Sequence, residues 1–257
     1  MIENTMDGLF YVAGRWPLDE TKPVIVFIHG SGGSHVLWDR QIEALLPYAN
    51  TVALDLPGHG KSYGDAKDTI QDIANVVHQF VQKLKINRPI ICGLSIGGAI
   101  CLQMLIDWGN DFQGGILVNT GARLKVMPAI IESLRKDYTA AIEATGVIAI
   151  SEKTDPRRIA LLLEAMKECK ADSAIKDFQA CDSFNVMDKL NHIHVPVLVL
   201  TARDDKLTPP KYGDYLAKNI HRAQMVQIPD AGHLSPLEKE DEVNQTIIQF
   251  ITTLTTK

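Results

Sequence analysis

The sequence predicts an α/β protein, a doubly wound and mostly parallel sheet with a helical segment inserted in its second half. Three observations carry this expectation. Short aliphatic runs recur at residues 24–28, 51–54, 89–92, 115–118, 195–200 and 224–228. Most are continuously apolar rather than alternating, as strands covered on both faces must be. Segments of helical spacing separate them, and strand–helix alternation requires crossover connections between parallel neighbours.

The helices read in order. Trp38, Ile42, Leu45 and Leu46 fall on one helical stripe. Ile70, Ile73, Val77, Phe80 and Leu84 form a second, behind a capping residue at Asp68 or Thr69. An apolar helix over 99–106 follows the third strand, and Val243, Ile247, Ile251 and Leu254 make the last stripe. Between about Ala122 and Asn191 the alternation stops, and helices are expected over 128–143, 156–169 and 172–182. The expected organisation is a core of residues 1–121 and 192–257 with a helical lid, or cap, over 122–191. Such an insertion stands above the carboxyl edge of the sheet, where open α/β sheets bind ligands, and shapes and desolvates the site beneath it.

Composition narrows the function classes. The 257 residues are 46% apolar and 22% charged, as in ordinary globular proteins, which excludes disordered, collagen-like and disulfide-scaffold classes. A net charge of −5 with scattered Lys and Arg gives no footprint for nucleic acid or for an anionic membrane surface. The expected partner is a small molecule of little or no charge, and nothing in the sequence sets an oligomeric state. Cys92, Cys101, Cys169 and Cys181 include no C-x-x-C pair, so no metal site is expected, and Cys92 and Cys101 read as small buried hydrophobes. His192 and His194 lack carboxylate or thiol companions and read as a surface feature. No basic and apolar leader opens the chain and no apolar run reaches the roughly 18–20 residues of a membrane span. The reducing cytoplasm is the expected compartment.

The sharpest chemical signal is Gly93-Leu94-Ser95-Ile96-Gly97-Gly98, placed between an apolar strand and an apolar helix. G-x-S-x-G in that context is a strained strand-to-helix turn that exposes a nucleophilic serine, and its glycines leave room for the neighbouring backbone. A serine hydroxyl needs a base. His233, in Pro229-Asp230-Ala231-Gly232-His233 after the last strand, is the best placed of the eight histidines. The base in turn needs an acid to hold its tautomer, and Asp204 or Asp205 follows the preceding strand. Ser, then Asp, then His is the chain order of one known triad arrangement and not of the chymotrypsin or subtilisin orders. An oxyanion requires preorganised N–H donors. Ile96, which opens the helix after Ser95, supplies one, and the glycine-rich loop His29-Gly30-Ser31-Gly32-Gly33-Ser34 supplies the other. That loop fits neither nucleotide-binding glycine pattern, so no cofactor is expected.

These residues together resemble the α/β-hydrolase superfamily, and in particular its lid-bearing serine hydrolases: 3-oxoadipate enol-lactonases, carboxylesterases and cofactor-free haloperoxidases. His29-Gly30 with Trp38 matches the oxyanion loop, Asp55-Leu56-Pro57-Gly58-His59-Gly60-Lys61-Ser62 the D-x-P-G-x-G-x-S turn, and residues 93–98 the elbow. The resemblance implies Asp205 as the acid, in register with Pro209, and the N–H of Ser31 as the second oxyanion donor. It implies structural roles for His29 and His59. Ala202 stands where the family has glycine, and Leu94 where many members have histidine.

The expected activity is hydrolysis of a small carboxylic ester or lactone through an acyl-enzyme on Ser95, His233 and Asp205. Same-fold alternatives are carbon–carbon hydrolysis, lyase chemistry and perhydrolysis; a different class is a slow-turnover ligand receptor. Haloalkane dehalogenases and epoxide hydrolases need an aspartate in place of Ser95. Trp38, Arg123 and Met127 are candidate pocket residues, with Arg123 suited either to a substrate carboxylate or to pinning the lid.

Overall fold

In the computed structural model residues 1–255 are described, and they form one eight-stranded sheet of order β1-β2-β4-β3-β5-β6-β7-β8. The six expected strands form within two residues of their expected bounds: β3 (Val24–Ile28), β4 (Asn50–Leu54), β5 (Ile90–Leu94), β6 (Gly114–Val118), β7 (Val197–Ala202) and β8 (Ala223–Ile228). All of these pair in parallel. β3 to β7 are buried along their whole lengths, which is why they read as unbroken apolar runs.

Two strands lie outside the expected set. β1 (Ile2–Met6) and β2 (Leu9–Ala13) form an antiparallel hairpin, and β2 pairs antiparallel with β4. Its turn is Asp7-Gly8, both at positive φ (49° and 83°), the backbone that a two-residue hairpin of this hand demands.

The strand order fixes the place of the site. From β3 the chain steps to β4 on one side, then returns to β5 on the other. The loops leaving β3 and β5 therefore diverge at a topological switch point, which opens a crevice at their carboxyl ends.

Helices cover both faces: α1 (Asp39–Ala44), α2 (Ile70–Lys83), α3 (Ile96–Trp108), α8 (Lys211–Asn219), α9 (Ser235–Glu238) and α10 (Glu240–Thr255). Thr69 is the cap of α2, its hydroxyl accepting the Asp72 N–H at 3.1 Å. Between β6 and β7 stand α4 (Pro128–Lys136), α5 (Tyr138–Ala149), α6 (Ala160–Lys167) and α7 (Ala171–Ser183). The helix expected over 128–143 divides at Asp137, whose extended backbone (φ −154°) breaks α4 and whose carboxylate caps α5 through the Ala140 N–H at 3.0 Å. No helix among the described residues is long and apolar enough to cross a membrane.

Candidate active site

β5 and α3 meet at Ser95, whose φ of 57° and ψ of −118° place it in a region L-residues rarely occupy. Two hydrogen bonds hold the strain: the Ser95 N–H donates to the Val118 carbonyl at 3.0 Å, and Thr120 Oγ1 donates to the Ser95 carbonyl at 2.7 Å. A Cβ on Gly93 would stand 2.2 Å from the Gly97 carbonyl, and one on Gly97 would stand 2.4 Å from the Ile28 carbonyl oxygen. Gly97→Ala must therefore push the elbow off β3. It should cost on the order of 3 kcal/mol in stability, read by thermal denaturation; an unchanged midpoint would contradict this packing.

The turn after β7 separates the two aspartates. Asp205 Oδ2 lies 2.9 Å from His233 Nδ1, whereas Asp204 accepts the Ser151 hydroxyl at 2.6 Å. Asp205 Oδ1 accepts the N–H groups of Leu207 (2.8 Å) and Thr208 (2.9 Å), and Oδ2 accepts the Thr208 hydroxyl at 2.6 Å. Burial pushes the Asp205 carboxyl up, but the His233 ring and the hydrogen bonds from His233 and Thr208 outweigh it and hold it below the ordinary value.

Three residues that the sequence reading passed over support this pair. Thr208 Oγ1 lies 3.1 Å from His233 Nδ1. Asn119, at positive φ (45°) just past β6, donates to the His233 carbonyl at 2.8 Å. The buried Glu238 carboxylate accepts the N–H groups of Gly232 (3.0 Å) and Ser151 (2.8 Å), tying the His233 loop to the end of α5. A Thr three residues past the acid and a Glu five past the histidine were the available signals.

The loop after β3 is shaped by two histidines in opposite charge states. His29 Nδ1 donates to the Gly30 carbonyl (2.7 Å) and Nε2 accepts the Leu56 N–H (3.0 Å), so the ring is neutral. Burial, then the neighbouring His59, lowers its pKa to about 4. His59 instead faces acceptors at both nitrogens, the Pro57 carbonyl at 3.0 Å and Asp177 at 2.9 Å. Burial opposes its charge, yet the Asp177 carboxylate prevails and raises its pKa well above the ordinary value. The His59 pair therefore stabilises the fold fully below the unfolded pKa of about 6.5 and loses that contribution as pH rises through the folded value. At pH 7.5, ¹⁵N NMR should find both His59 ring nitrogens protonated and His29 as the Nδ1–H tautomer; a neutral His59 would contradict the pairing.

Ser31, Ser95, Thr208 and His233 border one cavity beneath the helical insertion. The Ser95 hydroxyl makes no hydrogen bond to a protein group among the described residues. The amide N–H groups of Ser31 and Ile96 are likewise unengaged there. Apolar side chains dominate the wall, among them Leu94, Leu124, Leu162, Met166 and Phe178, and Lys125 is the one Lys, Arg, Asp or Glu that borders it.

None of the three expected pocket residues borders this cavity. Trp38 is fully buried against Phe27, with ring centroids 4.9 Å apart, and its neighbour Leu37 reaches the cavity instead. Arg123 and Met127 flank the stretch Leu124-Lys125-Val126 that borders the cavity, and neither reaches it. Arg123 is exposed and bridges Asn185 through the backbone, and Met127 is 67% exposed. His192 and His194 are exposed, and no cluster of metal-ligating side chains occurs among the described residues. All four cysteines are free and buried.

Fold and sequence together define a hydrolase: residues 25–246 match the alpha/beta hydrolase family, and the chain belongs to that family. Among its relatives, a 3-oxoadipate enol-lactonase of Acinetobacter baylyi is 25% identical over 90% of each chain. A pimeloyl-[acyl-carrier protein] methyl ester esterase of Nitrosomonas europaea is 24% identical over 82% of this chain and 88% of its own. The crystal structure of the enol-lactonase from Burkholderia xenovorans superposes with a TM-score of 0.88 at 24% identity, covering 98% of this chain and all of the other.

Proposed function

We propose that the protein hydrolyses small neutral carboxylic esters, lactones among them, through an acyl-enzyme on Ser95. The observation that carries the reading is the buried Asp205–His233 hydrogen bond of 2.9 Å on the cavity that Ser95 enters from its elbow. The esterase and enol-lactonase names of the relatives support the same bond type.

In this mechanism His233 removes the hydroxyl proton as Ser95 Oγ attacks the ester carbonyl. Rotation about the Ser95 Cα–Cβ bond brings Oγ to the imidazole; such contacts tighten when substrate binds. The N–H groups of Ser31 and Ile96 receive the oxyanion, free of competing protein acceptors and at the start of α3 for Ile96. His233 then returns its proton to the leaving alkoxide. A water gives a proton to His233 as it attacks the acyl carbon; His233 then returns that proton to Ser95 Oγ as the acyl–Oγ bond breaks, which releases the acid and restores the serine. Asp205 stays ionised throughout and stabilises the imidazolium. The insertion over 122–191 acts as the lid, supplying the apolar wall from α4 to α7.

That wall sets the substrate class. A carboxylate on the acyl chain would lose its water without gaining a buried cation, because Lys125 is exposed and already paired with Asp182 at 3.1 Å. kcat/KM for 1-naphthyl hexanoate should exceed that for 1-naphthyl hydrogen adipate by about tenfold or more. Equal rates, or a preference for the adipate, would overturn this reading of the pocket.

A further inference from the structure

We infer that Asp177, on α7 of the insertion, is a positioning residue that locks the loop after β3 so that the Ser31 N–H faces the reacting carbonyl. This rests on the proposed role of Ser31 as an oxyanion donor. The chain between Gly30 and Gly33 has two peptide planes whose orientation decides where that N–H points. The first contains the Gly30 carbonyl and the Ser31 N–H. Its carbonyl accepts the Gly33 N–H at 3.0 Å and His29 Nδ1 at 2.7 Å, which turns the Ser31 N–H the opposite way. The second contains the Ser31 carbonyl and the Gly32 N–H, and its N–H donates to Asp177 Oδ2 at 2.9 Å. Gly32 itself is at φ +63°, a conformation only glycine adopts freely, so the turn has no side-chain bulk to hold it. Without Asp177, that plane has no other partner among the described residues.

The anchor is firm at its other end. Asp177 is 1% exposed, and the same Oδ2 meets His59 Nε2 at 2.9 Å, on the turn that follows β4. α7 also lies directly on the loop: a Cβ on Gly32 would touch the Ala174 Cβ at 3.3 Å, one turn before Asp177. Stability alone does not account for a carboxylate here. A buried ion pair is often no better for folding than an apolar replacement, and Asp177 Oδ1 is buried with no hydrogen-bond partner, which is a cost. What the carboxylate supplies is direction. It joins three segments, the insertion, the loop after β3 and the turn after β4, so Asp177 contributes to the oxyanion site without itself lining the cavity.

The test is Asp177→Asn, which preserves shape and one acceptor oxygen but removes the charge that faces both donors. On 1-naphthyl hexanoate, kcat per folded molecule should fall at least about tenfold with KM within about twofold, a partial loss of one oxyanion donor. Inhibition by a trifluoromethyl ketone, which forms the oxyanion, should weaken in parallel, while binding of the matching methyl carbinol should not. A variant with a lowered melting temperature but wild-type kcat would overturn the inference and leave a purely structural tie. Should this variant not fold, His59→Gln is read by the same split. In the unaltered protein the Gly32 amide should be strongly protected from hydrogen exchange; a freely exchanging amide would also overturn it. Ser95→Ala run alongside separates the two readings. If that variant keeps esterase activity, the acyl-enzyme mechanism fails and this inference with it; if it loses activity and Asp177→Asn does not, only this inference fails.

Discussion

Replacing Ser95 by alanine should lower kcat toward an activated ester by a factor on the order of 10⁵–10⁶, leaving only the residual catalysis of binding and oxyanion stabilisation. The loss is confined to chemistry because the Ser95 hydroxyl makes no hydrogen bond to the protein among the described residues. The strained backbone at φ 57° is held through main-chain atoms, by Val118 and Thr120, and an alanine presents the same Cβ. The melting temperature should therefore stay within a few degrees of the parent, as expected where less than about 1 kcal/mol is at stake. Initial rates and thermal denaturation on the same preparation check both halves. Retained burst kinetics would remove Ser95 from the mechanism.

Asp205→Asn should cost about 10³–10⁴ in kcat at nearly unchanged KM. The asparagine oxygen can still accept the N–H groups of Leu207 and Thr208, so the turn after β7 keeps its shape. Its amide nitrogen then faces His233 Nδ1, a donor against a donor. The ring relieves the clash by moving its proton to Nε2, the nitrogen that must accept from Ser95. Thr208 offers only a partial substitute, because its oxygen lies 3.1 Å from Nδ1 and its single proton is shared between Asp205 and the Asn119 carbonyl. A variant within tenfold of the parent would show that Asp205 does not set the tautomer.

Much of this site was legible in the sequence because it is built from short-range backbone demands. An elbow that admits no Cβ at Gly93 or Gly97 must be written with glycine, and apolar strands buried on both faces must be written without alternation. The hairpin β1–β2 escaped because its first strand is exposed along most of its length and carries no core pattern, although Asp7-Gly8 marked its turn. The pocket residues escaped for a different reason. Whether Trp38 or Leu37 faces the cavity, and whether Arg123 or Leu124 does, depends on a one-residue phase that only the packed loop decides. Asp177 was invisible because its partners, Gly32 and His59, lie far away in the chain, and a lone acidic residue on a helix reads as a solvated face.

The proposed mechanism turns on one covalent bond, from Ser95 Oγ to the acyl group. A fluorophosphonate reports on it without knowledge of the natural substrate, because it captures a serine only when a base and an oxyanion site act on it together. Proteolytic mapping of the labelled protein by mass spectrometry should place one adduct per chain on Ser95, with esterase activity lost in proportion to labelling. An adduct elsewhere, or full activity after Ser95 is labelled, would contradict the mechanism.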